Sequence, residues 1–268
     1  MTRIKLGVDL PSLNLPVRRG LEEAERMAAA GVQIDAVGDL SPRALSQTGR
    51  RELLHIVRSH NLQLTALGCP LRRGLDSAEG QEARIEHIRR VLDLSFDLGA
   101  RIVIVQAGAV AQKSDVARSG LMTESLLALG RHADRTGAIL SLESGPEPGN
   151  VLNSFLEQFD TGGLGVCLNP GSLYLNGFDP YESVRSLHGR IVYCLAQDAR
   201  RSGVGRATQE VSLGHGDIDW MQFLSVLEAV EYRGWLIVKR ETGQNRLGDV
   251  AAGLQFLRRF MGNATGSL

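Results

Sequence analysis

Four short apolar runs end in residues able to do chemistry: Glu143 in ILSLESG, Asn169 in GVCLNPG, Asp198 in VYCLAQD, and Lys239 to Glu241 in WLIVKRE. A carboxylate such as Glu143 can act as a general base, and an ammonium such as Lys239 can stabilise a developing negative charge. Glu241 could supply a second acid. A desolvated Lys239 could instead form a Schiff base. Gln106 and Asn169 could hydrogen-bond a polar ligand, or simply satisfy buried backbone groups. Asp198 is read first as an acid that orients its loop, and second as a ligand contact. His215, flanked by glycines in LGHGDIDW, is read first as an exposed turn residue and second as a ligand contact. Tyr174 and Trp220 are expected to pack. Arg200, Arg201 and Arg206 are expected to be solvated.

The elements that must position these residues alternate along the chain. Short apolar runs begin at Ile4–Leu10, Gln33–Gly38 and Leu62–Gly68, then continue with RIVIVQAG, AILSLESG, Leu164–Gly171, Arg190–Asp198 and Gly234–Glu241. Between them lie amphipathic stretches. The clearest is Glu79–Leu98, where Ile85, Ile88, Leu92 and Leu98 recur at helical spacing. Others are expected near Arg18–Ala30 with Gly31 as C-cap, Arg50–His60, Val116–Thr136 closed by Gly137, Asp219–Val230 with Asp217 or Asp219 as N-cap, and Gly248–Met261. Strands alternating with helices predict a parallel sheet. Eight such units in 268 residues favour closure into a single (β/α)8 TIM barrel spanning residues 1–262, with a frayed tail at 263–268. An open doubly wound sheet would carry a glycine-rich phosphate turn after its first strand. That turn here reads DLPSLNLP.

A parallel barrel gathers chemistry at the C-terminal ends of its strands. Alternation then sets the faces. If Glu143 points inward, so do Ser141 and Ile139. If Lys239 points inward, so do Ile237 and Glu241, while Arg240 turns toward the helices. Asn169 shares its phase with Cys167, and Leu195 with Tyr193.

Thirty basic residues balance thirty acidic ones, so no global field draws the chain to nucleic acid or an anionic membrane. The three cysteines, Cys69, Cys167 and Cys194, are sparse and unpaired by spacing, as expected of reduced core thiols in the cytoplasm. No apolar run approaches a membrane span, and the N-terminus lacks a signal-peptide core.

LSLESG, NPGSLYLNG, CLAQDAR, LGHGDIDW and RGWLIVKRE, in this order and spacing, resemble the xylose-isomerase-like TIM barrels, a group of sugar isomerases, sugar-phosphate epimerases and endonucleases. The resemblance covers nearly the whole chain. It implies isomerase chemistry in carbohydrate metabolism, and one divalent metal (Mn, Mg, Co or Zn) held by a glutamate, an aspartate, a histidine or glutamine, and a glutamate. Those positions fall on Glu143, Asn169, Leu195 and Lys239. A histidine frequent on strand four falls on Gln106, and another after strand six on Ser172. Hard cations want anionic oxygens. The resemblance therefore implies a degenerate site in which Glu143 is the one retained ligand, no metal binds, and Lys239 pairs with Glu143. The expected ligand is a small sugar, polyol or related hydroxylated molecule contacted by Gln106, Asn169, Asp198, His215 and Glu241. A non-catalytic relative that binds a ligand or a partner protein is the alternative. Nucleic acid and membrane are not expected partners, and homodimerisation stays open.

Overall fold

The apolar runs form strands because they are short, rich in β-branched residues and leucine, and bounded by glycine or polar turns. A computed structural model describes residues 4–110, 115–202 and 207–261. Eight parallel strands close into a barrel in the order β1-β10-β7-β6-β5-β4-β3-β2. They are β1 (Lys5–Asp9), β2 (Gly31–Asp35), β3 (Gln63–Gly68), β4 (Ile102–Val105), β5 (Ile139–Glu143), β6 (Leu164–Leu168), β7 (Ile191–Ala196) and β10 (Trp235–Val238). This is the (β/α)8 fold read from the sequence.

Helices wrap the outside: α1 (Val17–Arg26), α2 (Gln47–Ser59), α3 (Gln81–Asp97), α4 (Val116–Thr136), α5 (Gly149–Leu156), α6 (Pro170–Leu175), α7 (Pro180–Leu187), α8 (Trp220–Ala229) and α9 (Arg246–Met261). Their caps follow residue type. Gly137 closes α4 at φ 71°, and the Asp219 carboxylate accepts the Gln222 N–H at 3.0 Å to start α8. No helix among the described residues is long and apolar enough to cross a membrane.

Two apolar layers result. Val103, Leu140, Val166, Cys194 and Leu236 face the helices within the main core. Ala66, Ile104, Cys167, Tyr193, Leu195 and Ile237 fill the barrel interior. The interior is crowded enough to require glycine. A Cβ on Gly31 would lie 2.9 Å from the Trp235 ring and 2.7 Å from the Gln63 carbonyl. Gly31 is therefore the first residue of β2 and not the cap of α1, which ends at Arg26. All three cysteines are buried and free, as expected.

Two further features differ from the expectations. The segment after β7 is an antiparallel hairpin, β8 (Asp198–Ser202) with β9 (Ala207–Val211), in which Arg200 faces Gln209 in register. Its arginines Arg200 and Arg201 are exposed, as the sequence leads one to expect. Arg206 and the expected frayed tail at 263–268 lie outside the described residues. Between β6 and β7, two short helices replace one. Both start on a side-chain cap followed by proline: Asn169–Pro170 and Asp179–Pro180.

Candidate active site at the strand C-terminal ends

The inward-facing residues that end the strands open onto a cavity of about 260 Å3, lined among others by Asp9, Gln33, Asp35, Gln106, Glu143 and Lys239. A second cavity of about 320 Å3 adjoins it, sharing Leu71, Gln106 and Glu143 and reaching Arg72, Arg73 and Ser172. Small-molecule sites range over roughly 300–1,000 Å3, and Glu143 stands where the two cavities meet.

Glu143 is the most contacted group there. Lys239 Nζ lies 2.9 Å from its Oε1, and Asn169 Nδ2 donates to the same oxygen at 2.7 Å. Gln106 Nε2 makes a long contact of 3.4 Å to Oε2. Lys239 also pairs with Glu241 Oε1 at 2.9 Å. The Lys239 and Glu143 side chains are only 10% and 7% exposed. Burial alone would lower the Lys239 pKa, but Glu143, Glu241 and Asp9 hold the ammonium above its usual range. A lysine held as a cation is a poor imine-forming nucleophile, so the Schiff-base option loses its footing.

Asn169 is fully buried and does two jobs. Its Oδ1 accepts the Ser172 N–H at 3.0 Å, capping α6. Its Nδ2 donates to Glu143 and, at 2.7 Å, to Gln197 Oε1. Gln197 in turn donates to Glu210 Oε1 at 2.9 Å. Glu210, on β9, also accepts the Glu241 and Thr242 backbone N–H groups at 2.8 and 2.7 Å. Arg240 Nη1 lies 3.3 Å from Glu210 Oε2 as an ion pair without hydrogen-bond alignment. Arg240 turns away from the barrel interior as parity requires, and its Nε bonds Asp249 of α9 at 2.9 Å.

Asp9 and Asp35 line the opposite wall and escaped the sequence reading. Asp9 is 5% exposed, and burial pushes its carboxyl up to about 7 despite nearby Lys239. Burial likewise raises Asp35. Parity could have found Asp9, which lies two residues beyond the inward Gly7, whose Cβ would meet Ile237. It could also have found Gln197, two beyond the inward Leu195.

Two expected contacts lie elsewhere. The Asp198 carboxylate accepts N–H groups from Ala199, Gly214, Gly216 and the Trp220 indole, at 2.8 to 3.1 Å. It organises the turn ahead of α8 and lines neither cavity. His215 is an exposed residue of that turn and also lines neither. Trp220 packs edge-on against Phe223, with ring centroids 5.3 Å apart. Tyr174 bonds Asp217 at 2.9 Å beside Arg201.

A closed barrel of eight parallel strands defines the TIM-barrel class, and residues 21–260 match one family within it. The chain belongs to the xylose isomerase-like TIM barrel family. Solved structures agree in fold. A xylose isomerase domain protein from Planctomyces limnophilus shares 24% identity at TM-score 0.80, covering 91% of this chain and 94% of its own. D-psicose 3-epimerase from Clostridium cellulolyticum H10, solved with D-tagatose, shares 14% at TM-score 0.76, covering 96% and 99%. A xylose isomerase-like barrel protein from Mycobacterium smegmatis, solved with magnesium, shares 17% at TM-score 0.78, covering 98% of each. No protein of curated function matches the chain by sequence.

Of Glu143, Asn169, Leu195 and Lys239, where the sequence resemblance places metal ligands, Glu143 alone carries an anionic oxygen. Leu195 is buried apolar filling, Asn169 has its oxygen committed to the α6 cap, and the Lys239 ammonium already occupies Glu143. Among the described residues, no three His, Cys, Asp or Glu side chains cluster to hold a metal.

Proposed function

We propose that the chain binds a small sugar, polyol or related hydroxylated ligand at the strand ends and handles it without a divalent metal. The convergence of Lys239, Asn169 and Gln106 on Glu143, at the junction of two cavities, carries this reading. Glu143 removes a proton from a carbon beside the ligand carbonyl. Lys239 gives two N–H groups to Glu143 and Glu241, and its third is free to meet the enediolate oxygen. Glu241, half-exposed, takes a proton from solvent and delivers it to the opposite face of the carbon, while Glu143 releases the proton it removed to solvent. A second reading, a non-catalytic binder, draws support from the donors already engaged with Glu143.

The relatives named above suggest ketohexoses as probes. Chelator-treated protein is incubated with D-fructose, D-psicose and D-tagatose in D2O, and deuterium at the carbon beside the carbonyl is followed by NMR. Exchange is expected to persist under chelation and to fall on the order of 100-fold or more in Glu143→Gln. Exchange that appears only with added Mn2+, Mg2+, Co2+ or Zn2+ overturns the metal-free route. Ligand-dependent thermal stabilisation without exchange establishes the non-catalytic reading.

A further inference from the structure

One wall of the cavity is made mostly of acceptors. Asp9 Oδ1 accepts from Gln33 Nε2 at 3.0 Å, and Oδ2 accepts the Ser12 hydroxyl at 2.6 Å. That hydroxyl itself accepts the Arg240 backbone N–H at 2.8 Å, which leaves its own hydrogen for Asp9. Both Asp9 oxygens are thus held as acceptors. Gln33 lines the cavity, is 5% exposed, and its carbonyl Oε1 is buried without a donor. Its amide sits between two other lining residues, Asp9 and Gly68, with Nε2 3.6 Å from where a Gly68 Cβ would stand. Asp35 packs on the bare Cα of Gly68, where any side chain would collide with its carboxylate. No donor reaches Asp35 among the described residues. Lys239, the cation felt by both acids, is engaged with Glu143 and Glu241.

We infer that Asp9, Gln33 and Asp35 form a subsite for an ammonium group, so that the ligand of this cavity is an amino-substituted sugar or polyol. The inference rests on the reading of the cavity as a polyol site. A hydroxyl donates one hydrogen and carries lone pairs of its own, and among these three side chains only the second Gln33 N–H could meet them. An ammonium donates three hydrogens and asks for none. It also meets the charge. Asp9, Asp35, Glu143 and Glu241 face the cavity against Lys239 and Arg246 alone, Arg240 being engaged with Asp249 and Glu210. Burial raises both Asp9 and Asp35, as expected of acids still lacking a cation. The ammonium end docks against β1 and β2, and the hydroxylated or carbonyl end reaches Glu143 and Lys239 across the cavity.

The test compares binding of four probes by calorimetry at pH 7.5: 1-amino-1-deoxy-D-sorbitol, D-sorbitol, ethylammonium and ethanol. The aminopolyol is expected to bind about tenfold or more tighter than sorbitol, through charge-assisted hydrogen bonds. Asp35→Asn, with Asp9→Asn as a second variant, should bring that ratio to within about twofold of one, thermal melts confirming the fold. Equal binding of the two polyols to the unaltered protein overturns the ammonium subsite and leaves the polyol reading standing. Ethylammonium binding over ethanol, with neither polyol bound, keeps the subsite and sinks the polyol reading. No binding by any probe overturns both. A tenfold preference untouched by either variant places the ammonium elsewhere and also overturns the inference.

Discussion

The two sides of the barrel mouth follow opposite electrostatic plans. On the β5–β10 side, Glu143, Lys239, Glu241, Asn169, Gln197 and Glu210 form a connected chain of ion pairs and hydrogen bonds. On the β1–β2 side, Asp9, Asp35 and the Gln33 carbonyl collect negative charge and lone pairs without a cation of their own. The satisfied side fixes geometry, since buried networks are rigid when every member is paired. The unsatisfied side stores a cost that a ligand can relieve. Folded proteins keep such costs where they bind or react.

Breaking the satisfied side should have the largest effect. Lys239→Met leaves Glu143 as an uncompensated buried acid, so a loss of about 3–5 kcal/mol is expected in urea unfolding at pH 7. Adding Glu143→Gln should recover more than half of it. A loss below about 1 kcal/mol for Lys239→Met would mean that solvent already screens the pair, and the contrast between the two sides would collapse.

Asp9→Asn sharpens the comparison from the other side and should raise stability. The folded Asp9 titrates at about 7, above its ordinary 3.8. A raised carboxylate contributes fully below 3.8, and that contribution is lost as pH rises through 7. The variant should therefore match the parent near pH 4 and exceed it at pH 8 by on the order of 2 kcal/mol, a discounted use of about 1.4 kcal/mol per pKa unit. Equal stability at both pH values would show that Asp9 already has its cation. The smallest effect belongs to His215→Ala. An exposed turn residue outside both cavities should change stability by less than about 0.5 kcal/mol and leave probe affinity unchanged.

The barrel itself was legible because alternation of short apolar runs with amphipathic stretches is a long-range pattern that single residues cannot spoil. Parity likewise put Glu143, Asn169 and Lys239 on one side of the wall. Where the same rule was not extended, the site was missed: Gln197 and Asp9 continue the inward phases of Leu195 and Gly7. Asp198 drew attention instead, as an acid at a strand end. Its carboxylate lies one residue out of phase and serves the turn before α8. The hairpin was not legible, because DARRSG and TQEV carry no apolar alternation. Its tethers lie elsewhere in the chain: Glu210 holds the segment after β10, Thr208 Oγ1 donates to the Leu175 carbonyl at 2.8 Å, and the Arg201 N–H donates to Asp217 at 2.8 Å.

Glu210 also bears on how this protein can change. In a barrel of this kind, the segment after each strand is ordinarily a separable module, free to vary on a constant frame. Here one carboxylate from the segment after β7 holds Arg240, Glu241 and Thr242 in the segment after β10. A graft that replaced the hairpin alone would strip that second segment of its acceptor, and two backbone N–H groups would be orphaned. The two segments are thus one heritable unit, to be exchanged together or left in place.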